Sequence, residues 1–361
     1  MIWGMSRIGS VNPLVVACLG QLVEQSHDCI WPEITGYRGT GGAVRREGAV
    51  KSVPSDVLEK LSSVEISSVQ QAANLQVFGL RWSAGNGLDY TTLDEALRDK
   101  VLDVTEINEG GQVPAIKVAN SSERMVFLMA GEMLVGCKQD RVLNSSMMVP
   151  SKSEMAIPVT CVEVGRWGYQ SRKFRSGQTS SHGYLRMILS KETSARYKTK
   201  SAPGSDQRAV WAEVARKMGK MGSRSSSGAL QDMFRDYGDK LDEVVRSISS
   251  PEGCNGVAFA INGKILGVDL FDKPATLSKL WPKLIKSYAM DALEDGSVDQ
   301  KLLQPESVIE WTRSAQSAKQ EWFDSPGVGQ DVRIEGEMLI GAALVVKQQL
   351  VHLELFREGK K

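Results

Sequence analysis

The stretch that decides the fold is RVLNSSMMVPSKSEMAIPVTCVEV, residues 141–164. Two apolar runs, Arg141 to Val149 and Glu154 to Val164, flank the turn-forming residues 150–153. This pattern predicts two strands joined by a hairpin loop. Both alternating faces of the second run are mostly apolar, which is typical of a strand at the centre of a sheet. Pro158 argues against a central position, because proline has no backbone N–H to donate to a neighbouring strand.

The flanking sequence predicts further short strands and helices. Thr92 and Glu95 form a capping box that opens a short helix, and Asn262-Gly263 between two apolar runs indicates a β-hairpin over 256–271. Residues 165–207 are rich in Ser, Thr, Gly, Arg and Lys, which predicts long loops with at most one short strand, 184–189. The remaining predicted strands are 76–80, 101–107, 113–119, 125–130, 331–335, 338–347 and 350–356, and the remaining helices 207–220, 228–249, 276–294 and 305–323.

These elements predict an α+β fold. Its core is β-rich, sandwich-like or barrel-like, with four to five helices, mostly in the C-terminal half. Residues 1–72 are weakly patterned apart from a short helix predicted to start at Ser55, and residues 36–49 are rich in Gly and Arg. We therefore expect a weakly structured N-terminal extension over 1–72. We expect residues 73–361 to form a single α+β domain of uncharacterised family.

The overall composition is that of an ordinary globular protein. The 361 residues are 42% hydrophobic and 24% charged, with a net charge of +1, and no apolar run is long enough for a transmembrane helix. Five cysteines without a close pair suit reduced thiols, so we expect a cytoplasmic protein. Three widely spaced histidines form no zinc signature, so no metal site is predicted, and no cofactor-binding motif is present.

The first candidate site is the polar segment GEMLVGCKQDR, residues 131–141. Lys138 and Arg141 have the chemistry to hold a phosphate or carboxylate, and Gln139 would line the same site. Glu132 and Asp140 could act as acid, base or metal ligand. The alternative is a solvated loop between two strands, which is the usual role of a polar loop.

The second candidate site is CVEVGRW, residues 161–167. Glu163 ends an apolar strand face, where a carboxylate needs a partner or its pKa rises, and Arg166 is the nearest cation in sequence. The two residues form either a structural ion pair or the mouth of a pocket. In the pocket interpretation Glu163 is the acid–base group, Arg166 binds phosphate and Trp167 packs on a planar ring.

A local excess of positive charge is hidden by the near-neutral total. Residues 166–224 contain 14 Lys or Arg and 3 Asp or Glu. Nucleic-acid binding and a solvated basic loop both fit this excess. Because no nucleic-acid-binding motif accompanies it, nucleic acid is not the expected partner.

One short motif recurs along the chain. GEMLVG at 131–136 returns as GEMLIG at 336–341, and more faintly as NGKILG at 262–267. The repetition fits a hairpin turn used three times, and it also fits duplicated half-domains. Three short matches leave both interpretations open.

Several of these stretches together resemble one known family. TLDEAL (92–97), VPAIKVAN (113–120), AGEMLVGCKQDR (130–141), MVPSKSEMAIPVTCVEVGRW (148–167), VW (210–211), GKILGVDLF (263–271) and YAMDA (288–292) are similar to the ARG and rhodanese-phosphatase superfamily-associated protein domain. The resemblance covers roughly residues 74–293. It implies a bacterial-centred domain of unknown function, associated with ADP-ribosylglycohydrolases and with rhodanese or phosphatase domains, and it carries over no catalytic residues.

The leading hypothesis combines the residues with this resemblance. We expect a domain that binds, or also hydrolyses, a phosphate-bearing nucleotide-like or ADP-ribose-like ligand, and the sequence does not decide whether it is an enzyme. The alternative is a non-enzymatic protein-interaction or assembly module. Such a module needs an exposed apolar patch or an unpaired strand edge.

Overall fold

Three β-sheets form the core of the protein in a computed structural model, which describes residues 56–84, 87–200, 203–296 and 302–358. The largest sheet has eight strands, and every neighbouring pair in it is antiparallel. In spatial order it contains β1 (Glu65–Ala72), β2 (Leu75–Arg81), β12 (Gly256–Ile261), β13 (Lys264–Phe271), β17 (Gln349–Arg357), β16 (Leu339–Val346), β15 (Gln330–Gly336) and β14 (Lys319–Asp324).

The second sheet curls into a half-barrel. Its order is β11 (Phe174–Ser180), β7 (Glu132–Gly136), β8 (Arg141–Leu143), β10 (Ser153–Cys161), β5 (Ala115–Asn120) and β4 (Leu102–Thr105). The two edge strands, β11 and β4, approach each other, and helix α1 (Leu93–Arg98) contacts both. A third sheet contains β3 (Tyr90–Thr92), β6 (Met125–Leu128) and β9 (Met147–Val149).

The predicted β-rich α+β class is confirmed, and the number of helices is higher than predicted. The described residues contain seven helices of six residues or more, and six of these follow residue 180. They are α1, α2 (Gly183–Lys200), α3 (Gln207–Met221), α4 (Leu230–Asp236), α5 (Gly238–Ser247), α6 (Pro274–Asp295) and α7 (Pro305–Ser314). No helix in these ranges is long and apolar enough to cross a membrane.

Two local predictions hold in atomic detail. The Glu95 carboxylate accepts the Thr92 backbone N–H over 2.9 Å, so α1 begins with the expected capping box. Asn262 and Gly263 join β12 to β13, and both have positive φ angles, +49° and +70°. Such angles are the ones that the tight hairpin turns require.

The deciding stretch contains three strands, not two. Residues 141–149 divide into β8 and β9, which belong to different sheets, so the predicted hairpin between 141–149 and 154–164 is wrong. β10 is central, as predicted: it pairs with β5 up to Pro158 and with β8 from Val159 onward. Pro158 lies where the strand changes partner, a position that tolerates the missing N–H.

The region predicted as loops contains a strand and the long helix α2. The buried face of α2 carries many polar side chains, including Arg186, Ser190 and Thr193. Its hydrophobic period is therefore weak, and helical spacing could not be recognised from apolar residues. The polar buried face is the reason why neither helix propensity nor hydrophobic period predicts α2.

Three predicted helices differ from the observed elements. Residues 56–72, where a short helix is predicted, form a helical turn (Asp56–Glu59, continued by a 3₁₀ turn at Lys60–Ser63) followed by β1, which pairs with β2. The predicted helix 305–323 ends at Ser314 and is followed by β14. The predicted helix 228–249 breaks into α4 and α5 at Tyr237. The rest of the predicted extension, residues 1–55, lies outside the described residues.

The recurring motif occupies different structural positions. Gly131 and Gly263 each end a turn immediately before a strand, with φ of +86° and +70°. Gly336 instead ends β15, and the turn falls on Glu337-Met338. The turn at Gly131 joins β6 to β7, which belong to different sheets and do not pair, whereas the turns at Gly263 and at Glu337-Met338 join paired strands. The motif therefore does not mark one repeated hairpin.

The eight-stranded sheet is buried on both faces. One face packs against the long helices, with Phe259 stacked on Tyr288 of α6. The other packs against α7 and the N-terminal helical turn. A separate apolar cluster fills the half-barrel. The candidate site lies where β8, β10 and the segment after β4 meet at one end of this third cluster.

Candidate functional site

Arg141 is the central cation of the site. It is the first residue of β8 and pairs with Cys161 at the end of β10, so both side chains lie on the same face of the half-barrel. Its Nη1 lies 2.9 Å from Cys161 Sγ and 3.2 Å from Gln139 Oε1. The guanidinium is completely buried, yet Nε and Nη2 have no hydrogen-bond partner among the described residues. A buried cation with two open donors is costly unless a ligand or water satisfies them.

The Cys161 thiol gives Arg141 a weak, neutral acceptor. Burial raises the pKa of this thiol to about 11, against the smaller opposing effect of Arg141. The thiol therefore stays protonated at neutral pH and does not neutralise the guanidinium.

Glu106 faces Arg141 and was missed by the sequence interpretation. Its Oε1 lies 3.8 Å from Arg141 Nη2 and accepts the Lys138 backbone N–H over 3.1 Å. Its Oε2 is buried and has no hydrogen-bond partner within the described ranges. Glu106 follows β4 and precedes Asn108-Glu109-Gly110-Gly111. A polar residue at a strand end beside a glycine pair is the signal that could have indicated it.

Arg166 holds two loops together. Its Nε and Nη2 lie 2.9 Å and 2.5 Å from the two carboxylate oxygens of Glu163, and Nη2 is also 3.1 Å from Asp140 Oδ1. Its Nη1 donates to the carbonyl oxygens of Cys137 and Gly168 over 2.6 Å and 3.0 Å. All of its donor nitrogens are thus used within the protein. The geometry gives the Glu163–Arg166 pair the role of fixing segment 137–140 against 163–168.

Asp140 and Gln139 complete this ionic network. Asp140 accepts the Gly136 N–H over 3.0 Å and donates its own backbone N–H to Glu163. Burial raises the pKa of Asp140 to about 6, because Arg166 is shared with Glu163 and does not offset the loss of hydration. Gln139 donates to the Glu163 carbonyl and accepts from Arg141, so it joins the network to the central cation.

Two exposed aromatic rings cover the site. Trp167 is 40% exposed and Tyr169 38%. The Lys138 ammonium lies 5.5 Å and 5.1 Å from the two ring centres, and the Arg141 guanidinium carbon lies 5.6 Å from the Trp167 ring. These are cation–π distances. The indole therefore lies between solvent and the buried guanidinium.

A glycine loop closes the other side. Lys138 Nζ donates to the Gly110 carbonyl over 2.8 Å. Gly111 has a φ of +72°, and a Cβ at that position would lie 3.0 Å from Lys138 Cδ and 3.3 Å from Trp167 Cζ2. The close approach of this loop thus requires glycine. The loop is also held by an exposed Arg172–Glu109 ion pair and by the Tyr169 hydroxyl, which donates to the Glu109 carbonyl over 3.5 Å. Because these contacts lie at the solvent surface, opening the loop costs less than moving a strand.

The structure does not bring Glu132 into this group. Among the described residues, its carboxylate contacts the Met129 backbone N–H at 2.8 Å and Lys283 Nζ at 2.5 Å. Lys283 also contacts Asp94 at 2.7 Å. Seven of the eight residues predicted for the site therefore lie together, and Glu132 belongs to a separate buried ion-pair network.

A surface groove of about 510 Å³ lies elsewhere, between α1, β4 and β11. Basic residues outnumber acidic ones along it, but most of their side chains point to solvent. None of the eight predicted site residues lines it. Its lining residues are Asp94, Leu97, Arg98, Lys100, Leu102, Asp103, Val104, Lys173, Phe174, Arg175, Ser176 and Gln178.

The chain matches a known family over most of its length. Residues 63–356 match the model of the ARG and Rhodanese-Phosphatase-superfamily-associated Protein domain. The chain belongs to that family. The match begins before residue 74 and continues past residue 293, so it includes part of β17 and almost all of the described residues. Neither the curated proteins nor the solved structures contain a significant match to the chain.

Proposed function

We propose that the protein binds a small phosphate-bearing, nucleotide-like ligand at the mouth of the half-barrel. The observation that carries the proposal is Arg141, a completely buried guanidinium with two open donors. The two nitrogens, Nε and Nη2, lie on the same edge of the planar guanidinium, so they can donate side by side to two oxygens of one phosphate. The family description, with its mention of a phosphatase superfamily, supports the same ligand class.

The aromatic rings support a ligand that also carries a planar group. Trp167 and Tyr169 are exposed, and Lys138 lies between them. An adenine or similar ring stacking on the indole would keep its phosphate near Lys138 and Arg141. ADP-ribose and adenine nucleotides combine both features, so they are the probes of choice.

Entry of the phosphate requires movement of the cover. Arg141 has no exposed surface, so Trp167 and the loop at Gly110 must separate before a ligand reaches it. The contacts that must break at residues 109 and 110 lie at the surface: Lys138 Nζ to the Gly110 carbonyl, Arg172 to the Glu109 carboxylate and Tyr169 to the Glu109 carbonyl. Binding and loop opening are therefore coupled in this proposal.

Hydrolysis would need a free acid–base group beside the phosphate. The carboxylates of Glu163 and Glu132 are both held in ion pairs. Glu106 has the free oxygen Oε2 and lies next to Arg141. If the domain hydrolyses its ligand, Glu106 is the group that we assign as general base.

Calorimetric titration of the full chain with ADP-ribose, AMP and inorganic phosphate tests the proposal. We expect AMP or ADP-ribose to bind, and Trp167→Ala to weaken that binding by roughly 10-fold, since stacking on one ring contributes about 1–3 kcal/mol. Inorganic phosphate should lose little affinity in the same variant. Arg224→Ala, an exposed arginine outside the site, is the control. No binding of any probe at millimolar concentration would reject the proposal.

One observation favours the alternative assembly role. β1 lies at the end of the eight-stranded sheet, and Val69 on it is 48% exposed. Within the described residues its outer edge pairs with no further strand, and such an edge can accept a strand from another chain. Sedimentation of the wild type and of Val69→Lys would distinguish the two roles, because only the assembly role predicts a change in association state.

A further inference from the structure

Three hydrogen-bonded side chains lie in order between the eight-stranded sheet and the turn after β8. Ser146 Oγ lies 2.8 Å from His352 Nδ1, and His352 Nε2 lies 3.2 Å from Asp269 Oδ1. Ser146 belongs to the turn between β8 and β9, His352 to β17 and Asp269 to β13. A hydroxyl, an imidazole and a carboxylate in this order are the groups that activate a serine nucleophile.

The carboxylate determines which ring nitrogen carries hydrogen. Burial alone would raise the pKa of Asp269, but Arg186 contacts both of its oxygens, and the pKa lies below its ordinary value. An ionised carboxylate only accepts, so His352 Nε2 donates to it, and in the neutral ring Nδ1 is then the acceptor. The Ser146 hydroxyl is then the donor to Nδ1.

The backbone orients the same hydroxyl. Ala130 N–H donates to Ser146 Oγ over 2.9 Å. One lone pair of the oxygen is thus occupied, and its hydrogen points toward the ring. In serine proteases Nδ1 faces the carboxylate and Nε2 faces the serine, whereas here Nε2 faces the carboxylate and Nδ1 faces the serine. The order of the three hydrogen-bonded groups is the same.

The imidazole is held rigidly between aromatic rings. It stacks on Phe271 with a centroid distance of 4.7 Å and meets Phe127 edge-on at 5.8 Å. His352 and Asp269 are buried, whereas Ser146 is only half-buried. The hydroxyl is therefore the end of the chain nearest to solvent, which is the order that a nucleophile requires.

We propose that Ser146 is a nucleophile, with His352 as its base and Asp269 as the group that orients the base, and that this site cleaves acyl esters. The substrate class follows from the groups themselves, because a hydroxyl, an imidazole and a carboxylate hydrogen-bonded in this order perform acyl transfer. This proposal does not rest on the ligand-binding site at Arg141. The two sites share no residue.

The reaction balances with the ester and water alone. Ser146 Oγ bonds to the acyl carbonyl carbon while its proton passes to His352 Nδ1. The bond from that carbon to the leaving oxygen then breaks, and the leaving oxygen takes the proton from Nδ1. Water cleaves the acyl–serine ester by the same proton path, which releases the carboxylic acid and restores the hydroxyl.

A fluorophosphonate probe and p-nitrophenyl acetate test the assignment on the full chain. The probe should phosphonylate Ser146 with loss of fluoride, one label per chain, located by peptide mass spectrometry. Ser146→Ala should abolish the label and lower ester turnover by roughly 1,000-fold or more, because the nucleophile is the group that cannot be replaced. Ser145→Ala is the matched control, since Ser145 bonds to Arg333 and not to His352.

A second variant separates chemistry from folding. His352→Asn removes the base, and its melting temperature shows whether the fold survives the loss of a buried ring. A folded His352→Asn protein that labels at the wild-type rate would overturn the proposal. Labelling of wild-type Ser146 no faster than that of the exposed serines elsewhere on the chain would overturn it as well and would leave a purely structural network. Neither result bears on nucleotide binding at Arg141.

Discussion

Lys283 Nζ lies 2.5 Å from Glu132 Oε1, and both side chains are almost completely buried. Lys283 comes from the middle of α6 and Glu132 from the first position of β7, so the pair joins a helix to the half-barrel. Asp94 on α1 contacts the same ammonium at 2.7 Å. The glutamate that sequence pattern suggested for acid–base chemistry is thus placed as an anchor between three elements.

Glu132→Gln should destabilise the protein strongly. The substitution leaves the Lys283 charge buried with only the partly exposed Asp94 as partner, and removing one member of a buried pair costs about 3–5 kcal/mol. Urea denaturation measures this loss. The control is Glu154→Gln, which breaks the exposed Lys117–Glu154 pair and should cost less than about 1 kcal/mol. Equal effects of the two substitutions would contradict the structural assignment.

Arg166→Ala should also lower the free energy of unfolding, for a related reason. It leaves the carboxylates of Glu163 and Asp140 close together without their shared cation, at a cost of about 2–4 kcal/mol because the arginine is partly exposed. Arg166→Lys should recover only part of the loss, since one ammonium cannot reproduce the five-donor fork. Arg172→Ala, which breaks an exposed pair with Glu109, is the control and should leave stability unchanged.

The contrast between Glu132 and Arg141 shows what sequence reasoning could predict. Both lie in one polar segment between apolar strands, and the sequence pattern groups them together, whereas the structure places them in separate networks. The alternation of apolar and polar residues along β7 and β8 does not predict which helix or strand packs against each side chain. Lys283 is 151 positions from Glu132, and Glu106 is 32 positions from Lys138, whose backbone N–H it accepts. Pairings over such distances are set by tertiary packing, which one sequence does not reveal.

The same limit explains the errors in the fold. The hairpin at Asn262-Gly263 and the capping box at Thr92 depend on neighbouring residues only, so they were predicted correctly. α2 depends on polar groups such as Arg186 finding Asp269 and Glu354 across the core. Because its stabilising contacts are far away in sequence, the helix has no local apolar period from which it could be predicted.

Asp140 should make stability depend on pH between about 4 and 6. Its pKa is about 6 in the folded protein and 3.8 in its ordinary state. In this window the folded protein retains a proton that the unfolded chain has released, so stability falls as pH rises. We expect the wild type to lose about 1–3 kcal/mol relative to Asp140→Asn between pH 4 and pH 7. Denaturation curves of both proteins at each pH test this, and a constant difference between them would contradict it.

Glu106→Gln should tighten the binding of phosphate-bearing ligands at Arg141. In the wild type the Glu106 carboxylate lies 3.8 Å from Arg141 Nη2 and offsets its charge. The amide keeps an oxygen that accepts the Lys138 N–H but lacks the negative charge that would repel an incoming phosphate. We expect the binding free energy to improve by about 1–2 kcal/mol, which corresponds to a roughly 5- to 30-fold lower Kd. Titration with AMP measures the change, with Asp103→Asn as control, because Asp103 is an exposed acid paired with Lys173. If Glu106 is also the base for hydrolysis, the same variant binds more tightly and turns over more slowly. Weaker AMP binding in Glu106→Gln would show that the carboxylate contacts the ligand directly and would contradict its role as a counter-charge to Arg141.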